Sequence, residues 1–163
     1  MPRGGDGGVR HLSEDELLRR GREAVKRGFH AEASELFFEY CDRLEIQGRP
    51  IPPVILAHYA FCIGSTRRPS DGIEICRQAL AGSGRHPEVS LCLAKLYLMA
   101  GERRLAVDEA DRGLRLSPQY GALRRLREEL GRRRSPPIRF LPRRSAVNVR
   151  LGKMLRDRRD VPR

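Results

Sequence analysis

Apolar and small residues recur along this chain three and four positions apart, in paired blocks broken by glycine or proline. That spacing marks one face of an α-helix, and the alternation that marks a strand is missing. In residues 87–118, Leu93, Ala94 and Tyr97 precede Gly101. Ala106, Ala110, Gly113 and Leu114 follow it, and Pro118 closes the block. The pattern predicts two helices joined by a turn at Gly101. A shift of 34 residues back places Tyr59, Ala60 and Ile63 on the first positions, Gly72, Cys76 and Ala79 on the later small ones, and Leu80 on Leu114. A further shift of 39 residues places Gly21, Ala24, Gly28, Ala33, Phe37 and Tyr40 on the same positions. The extra five residues fall in the loop QGRPIPP, where Pro50, Pro52 and Pro53 cannot occupy a helix interior.

Local signals fix the helix ends. Gly28 and Gly101 are expected to end the first helix of their repeats, because glycine takes positive φ without a Cβ penalty. In repeat two Pro69 is the expected stop, with Ser70 as N-cap of the next helix. Ser13 reads as the N-cap of the first helix and Glu16 as its capping-box partner. Gly21, Ala60 and Ala94 are small enough for paired helices to approach closely, with Phe37, Tyr59 and Tyr97 filling the gaps beside them. Residues 119–134 continue the helical period with Leu123, Leu126 and Leu130 on one face and charge elsewhere. This is the polar cap that a stack of repeats needs at its end.

A helix–turn–helix unit with a 34-residue period resembles the tetratricopeptide repeat, whose pattern is W-x2-L-G-x2-Y…A-x3-F…P. Repeat three reads Ser90-x2-Leu93-Ala94-x2-Tyr97, then Ala106-x3-Ala110, then Pro118. Repeat two reads Leu56-x2-Tyr59-Ala60-x2-Ile63 with Gly72-x3-Cys76, and repeat one Leu17-x2-Arg20-Gly21-x2-Ala24 with Ala33-x3-Phe37. The tryptophan is replaced throughout. The resemblance spans residues 14–118 and implies an all-α, right-handed α-solenoid of three repeats plus a capping helix. The expected organisation is a disordered leader at 1–12, the solenoid at 13–134 and a basic tail at 135–163.

The resemblance also implies a function, that of a non-catalytic adaptor whose partner lies along the concave surface lined by the first helix of each repeat. Carried over by position, that surface comprises Leu18, Arg22, Val25 and Lys26, then Ala57 and Phe61, then Leu91, Lys95 and Leu98. An extended or helical peptide with apolar anchors and acidic neighbours would suit it. One subgroup of the family clasps a C-terminal carboxylate with lysines, asparagines and an arginine. Here Leu18, Arg22, Glu88 and Cys92 stand in four of those places, so carboxylate clasping is not implied.

Charge changes this picture at one end only. Of the formal net charge of +12, residues 1–123 carry +1 and residues 124–163 carry +11. In the tail, Pro136, Pro137 and Pro142 impose an extended stretch. From Ser145, Val147, Leu151, Met154 and Leu155 then recur at helical spacing among arginines, predicting a short basic amphipathic helix. Phe140, Leu141, Arg150, Leu151 and Leu155 are its expected contact residues, and packing on the solenoid is the favoured destination. The alternatives are an acidic partner, or an anionic membrane surface or nucleic acid, the last a weaker reading because Phe140 is the tail's only aromatic for stacking on bases.

Candidate chemistry is sparse. No phosphate-binding glycine loop, nucleophile elbow or HExxH is present. Cys41, Cys62, Cys76 and Cys92 form no CxxC pair and read as core residues, while His58 and Cys62 alone are too few for a metal site. The expectation is a cytoplasmic protein with no catalytic residues, no metal and no cofactor.

Overall fold

The computed structural model describes residues 9–82, 86–131, 145–147 and 150–151, and among them are seven helices and no strand. They are α1 (Glu14–Arg27), α2 (His30–Ile46), α3 (Pro53–Thr66), α4 (Pro69–Gly82), α5 (Pro87–Met99), α6 (Arg103–Leu116) and α7 (Gly121–Gly131). The pairs α1–α2, α3–α4 and α5–α6 pack as hairpins, and α3 also packs on α2 and α5. Three repeats and a terminal helix thus form an all-α solenoid within residues 1–130, one of two compact units of the chain.

Helix ends follow from backbone chemistry. Gly28 and Gly101 have φ of 82° and 80°. Phe29 N–H donates to the Ala24 carbonyl and Gly28 N–H to that of Val25, the paired bonds of a Schellman cap, and Glu102 and Gly101 repeat them on Tyr97 and Leu98. Gly48, with φ 66°, closes α2 in the same way through Arg49 and Leu44. Pro53 and Pro87 start α3 and α5, where a missing N–H costs nothing.

Two expected caps are corrected. Ser13 Oγ accepts from Glu16 N–H at 3.3 Å, but the Glu16 carboxylate turns to Arg19 and Arg20, at 2.7 and 2.6 Å, so the reciprocal half of the capping box is not made. Pro69 begins α4 instead of preceding it, and Ser70 lies inside the first turn, donating to Asp71 Oδ1 at 3.2 Å.

The core lies between the repeats as much as within them. Ile55 and Cys62 of α3 join a cluster with Leu17, Phe37 and Leu44, whereas Ala57 and Ala60 join the cluster of Val89, Leu93, Leu96 and Ala106. A helix covered on both sides must be apolar nearly all round, which is why α3 and α5 lack the polar face of α1. All four cysteines are buried free thiols within this packing. Ser90, at the family's tryptophan position, is buried and donates to the buried carboxylate of Glu109 at 2.8 Å. The terminal helix buries Leu123, Leu126 and Leu130, and Arg127 pairs with Asp111 of α6 at 2.6 Å.

Residues 9–12, assigned to the leader by sequence, are held by one side chain. Arg43 bonds Glu39 through Nε and the carbonyls of Val9, Arg10 and Leu12 through its terminal nitrogens. In the second unit, residues 146–147 and 150–151 are helical.

Close approach rests on missing methyl groups. A Cβ on Gly72 would lie 2.3 Å from the Ala60 carbonyl oxygen, a backbone atom that cannot step aside. Gly72→Ala is therefore expected to spread α3 from α4 and destabilise the fold by about 1–3 kcal/mol, read as a lowered Tm. Gly121→Ala, which meets nothing within 4 Å, should leave the Tm unchanged or slightly raised.

Candidate functional site

The repeat period brings equivalent side chains of α1, α3 and α5 together in columns. Arg22, Phe61 and Lys95 occupy one register position in the three repeats, and Lys26, Ser65 and Met99 the next. Lys95 Nζ sits over the Phe61 ring, 5.3 Å from its centroid, a cation–π contact between successive repeats. Ser65 Oγ lies 3.9 Å from Met99 Sδ. The His30 ring at the start of α2 meets Phe61 edge-on at 5.3 Å. Arg22, Lys26 and Lys95 are exposed and Phe61 is half-buried, so a cationic, aromatic strip runs across this face.

Below the strip lies a polar pair that the sequence reading assigned to no site. His58 Nε2 donates to Glu88 Oε1 at 2.9 Å while its ring stacks on Phe37 at 5.7 Å. Burial pushes the imidazole below its ordinary value, the Glu88 carboxylate draws it back up, and the positive charges of Arg22 and Lys95 push it down again. The net direction is down, so at neutral pH the ring is uncharged with its proton on Nε2. The residues are 30 apart, one helical turn short of the repeat period. Opposite polarity at that offset on successive first helices is the sequence signal for the pair.

The sequence-derived groove residues divide. Arg22, Lys26, Phe61 and Lys95 belong to the strip, and Leu18, Val25 and Leu98 are half-buried against the core clusters beneath it. Ala57 and Leu91, at 0% and 8% exposure, are core residues and are corrected out of the groove. They share a register position with Leu18, but α3 and α5 are flanked on both sides, so there that position faces a neighbouring repeat. In the tail Arg150 is exposed and Leu151 half-buried, whereas Phe140, Leu141 and Leu155 lie outside the described residues.

The arrangement offers charge and aromatic surface. Burial pushes the Cys41 thiol up to about 11 and those of Cys62 and Cys92 up to about 12, which disfavours the nucleophilic thiolate. Among the described residues no three His, Cys, Asp or Glu side chains could hold a metal ion. No described helix is long and apolar enough to cross a membrane.

No protein-family model and no curated protein matches the sequence. Solved structures do share its fold. The Sgt2 TPR domain from Aspergillus fumigatus aligns with a TM-score of 0.59 at 18% identity, over 73% of this chain and 77% of that one. The second TPR domain of the human RPAP3 protein, determined by NMR in complex with the HSP70 peptide SGPTIEEVD, aligns with a TM-score of 0.55 at 15% identity, over 72% and 93%. The chain has the tetratricopeptide-repeat architecture.

The half-buried His58 makes stability depend on pH. Its folded-state pKa lies below the ordinary value of 6.5, so on acidification the unfolded chain takes up a proton that the folded chain resists. Stability is expected to fall as the pH drops below about 6.5. His58→Gln keeps a donor toward Glu88 without the titration and should flatten the fall in Tm between neutral pH and the onset of carboxylate protonation.

Proposed function

We propose that this chain is a protein-interaction module whose α1–α3–α5 face binds a peptide carrying apolar anchors beside acidic residues. The observation that carries this reading is the column Arg22–Phe61–Lys95, in which an aromatic ring stands between two exposed cations on the first helices of successive repeats. An apolar side chain laid on Phe61 would place neighbouring carboxylates within reach of Arg22 and Lys95. The column thus supplies an anchor and its electrostatic complement together. The RPAP3 domain of like fold was solved with a peptide that combines isoleucine and valine with glutamate and aspartate, the same mixture of chemistry. Glu88 and the neutral His58 make this surface unlike an all-cationic clasp for a terminal carboxylate, which favours an internal segment as ligand. Buried reduced thiols suit a reducing compartment, and we place the module in the cytoplasm as an adaptor.

An array of short peptides that place glutamate or aspartate beside leucine, isoleucine or phenylalanine provides the test. Members should bind with micromolar affinity, and Phe61→Ala with Lys95→Glu should weaken them by roughly tenfold or more while helical circular dichroism is retained. Equal binding by the variant and the parent chain would exclude this face.

A second reading rests on the +11 charge of residues 124–163, which suits a nucleic acid or an anionic surface. Binding of that kind should fall steeply with salt, whereas contacts on an apolar anchor should lose far less. Heparin retention that is salt-sensitive and lost on truncation after Arg134 would support it. The Phe61 variant would then be retained like the parent chain.

A further inference from the structure

The opposite side of the solenoid carries its own surface. Helix α4 packs on α3 and α5, and α6 packs on α5, which leaves a channel between α4 and α6 with α5 as its floor. The channel encloses about 830 Å³. Its α6 wall presents Leu105, Arg112, Arg115 and Leu116, and its α4 wall presents Arg77 and Leu80. Leu105 and Leu116 are 40% and 41% exposed and stand at the two ends of the groove. They stand 11 residues apart, about three turns or 16 Å along α6.

Charge in this channel is one-sided. Its acidic side chain, Glu109, is 4% exposed and already engaged by the Ser90 hydroxyl at 2.8 Å and by Arg112 at 3.3 Å. Arg77 is steadied by the Tyr97 hydroxyl at 3.1 Å, and Arg115 has no carboxylate partner among the described residues. The pocket over α2 and α3 is mixed in charge instead. Glu35, Glu39 and Asp42 line it together with Arg10, Arg43 and Arg67, and Arg43 pairs with Glu39 at 2.8 Å. The excess of positive charge belongs to the channel between α4 and α6.

We propose that the channel between α4 and α6 is a second docking surface, which takes an acidic amphipathic helix of a partner protein. Apolar residues at i, i+4, i+7 and i+11 of that helix would span the distance from Leu105 to Leu116, and flanking carboxylates would meet Arg77, Arg112 and Arg115. The surface is independent of the α1–α3–α5 face. The chain's net charge of +12 opposes a second copy as occupant and favours an acidic partner.

The test uses the full chain and a labelled synthetic 18-residue peptide with leucine at those four positions and mainly glutamate elsewhere. Saturable binding is expected, with amide shift changes at 105–116 and 77–81. Leu105→Ser with Leu116→Ser should weaken it by roughly tenfold or more, and Arg115→Glu separately by a similar factor. These side chains are partly exposed and outside the core, so both variants should keep the parent circular dichroism. Phe61→Ala should bind as the parent does, which separates this surface from the face proposed above. Parent-like binding by both channel variants, or shifts confined to the Arg22–Phe61–Lys95 strip or to residues 135–163, would overturn the proposal. So would concentration-dependent self-association in sedimentation that the channel variants abolish, because the occupant would then be a second copy.

Discussion

The distance between paired helices governs everything else in this molecule. Between α3 and α4 that distance is set by glycine: a methyl group on Gly72 would meet the Ala60 carbonyl oxygen at 2.3 Å, and one on Gly64 would meet Leu96 at the same distance. Gly113 plays the same part for α6, with Ser90 on one side and Leu123 of the terminal helix on the other. The Gly72 contact is with backbone and holds α3 against α4, whereas Gly64 and Gly113 make room for the side chains of Leu96, Ser90 and Leu123, which seat the neighbouring helices in register. Interiors at such density are intolerant of even one added methylene, so the small residues specify geometry as strongly as the large ones supply burial.

Fixed register turns sequence period into surface chemistry. Side chains 34 residues apart meet across successive first helices, as Phe61 meets Lys95 and Ser65 meets Met99. A column made entirely of apolar residues is absorbed into the packing, and Leu18, Ala57 and Leu91 show this, with Ala57 wholly covered. A column that mixes an aromatic ring with cations stays at the surface because its charges must reach water. The Arg22–Phe61–Lys95 strip is such a column. The same logic places His58 against Glu88, where the neutral imidazole satisfies a carboxylate at the repeat junction without burying a second charge.

What the sequence made legible was local or periodic. Gly28 and Gly101 could be read as caps because positive φ is a property of one residue, and the three helix pairs because the period repeats. The cap at Gly48 carries a weaker signal, because the neighbouring prolines account for the loop by themselves. Ser70 misled because Pro69, its neighbour, could open a helix as well as end one. Ala57 and Leu91 match the groove by position alone, which transfers register but not burial. Glu109 offered no sign of its buried role, since its partner Ser90 lies on the preceding helix and replaces an aromatic residue of the family pattern. The α4–α6 channel was invisible for a related reason: it exists through the separation of two helices that are not neighbours in sequence.

Arginine usage gains meaning only when its partners are known. Arg43 bonds a carboxylate with Nε and three backbone carbonyls with its other nitrogens, a task for a planar fork that a lysine ammonium could not perform in the same geometry. Arg127 joins the terminal helix to α6 through Asp111, and Arg103 reaches the Leu130 carbonyl. These guanidiniums are occupied by the fold, so their number says little about phosphate or acidic ligands. Arg22 and Arg115 differ, because each lacks a carboxylate partner among the described residues and stands beside apolar surface, Phe61 in one case and Leu116 in the other. A cation left unpaired next to an uncovered apolar side chain is stabilised by any partner that brings a carboxylate and an apolar group together. The two faces of the solenoid therefore present similar chemistry through different elements, an aromatic and cationic column built across repeats on one side and a channel built between second helices on the other.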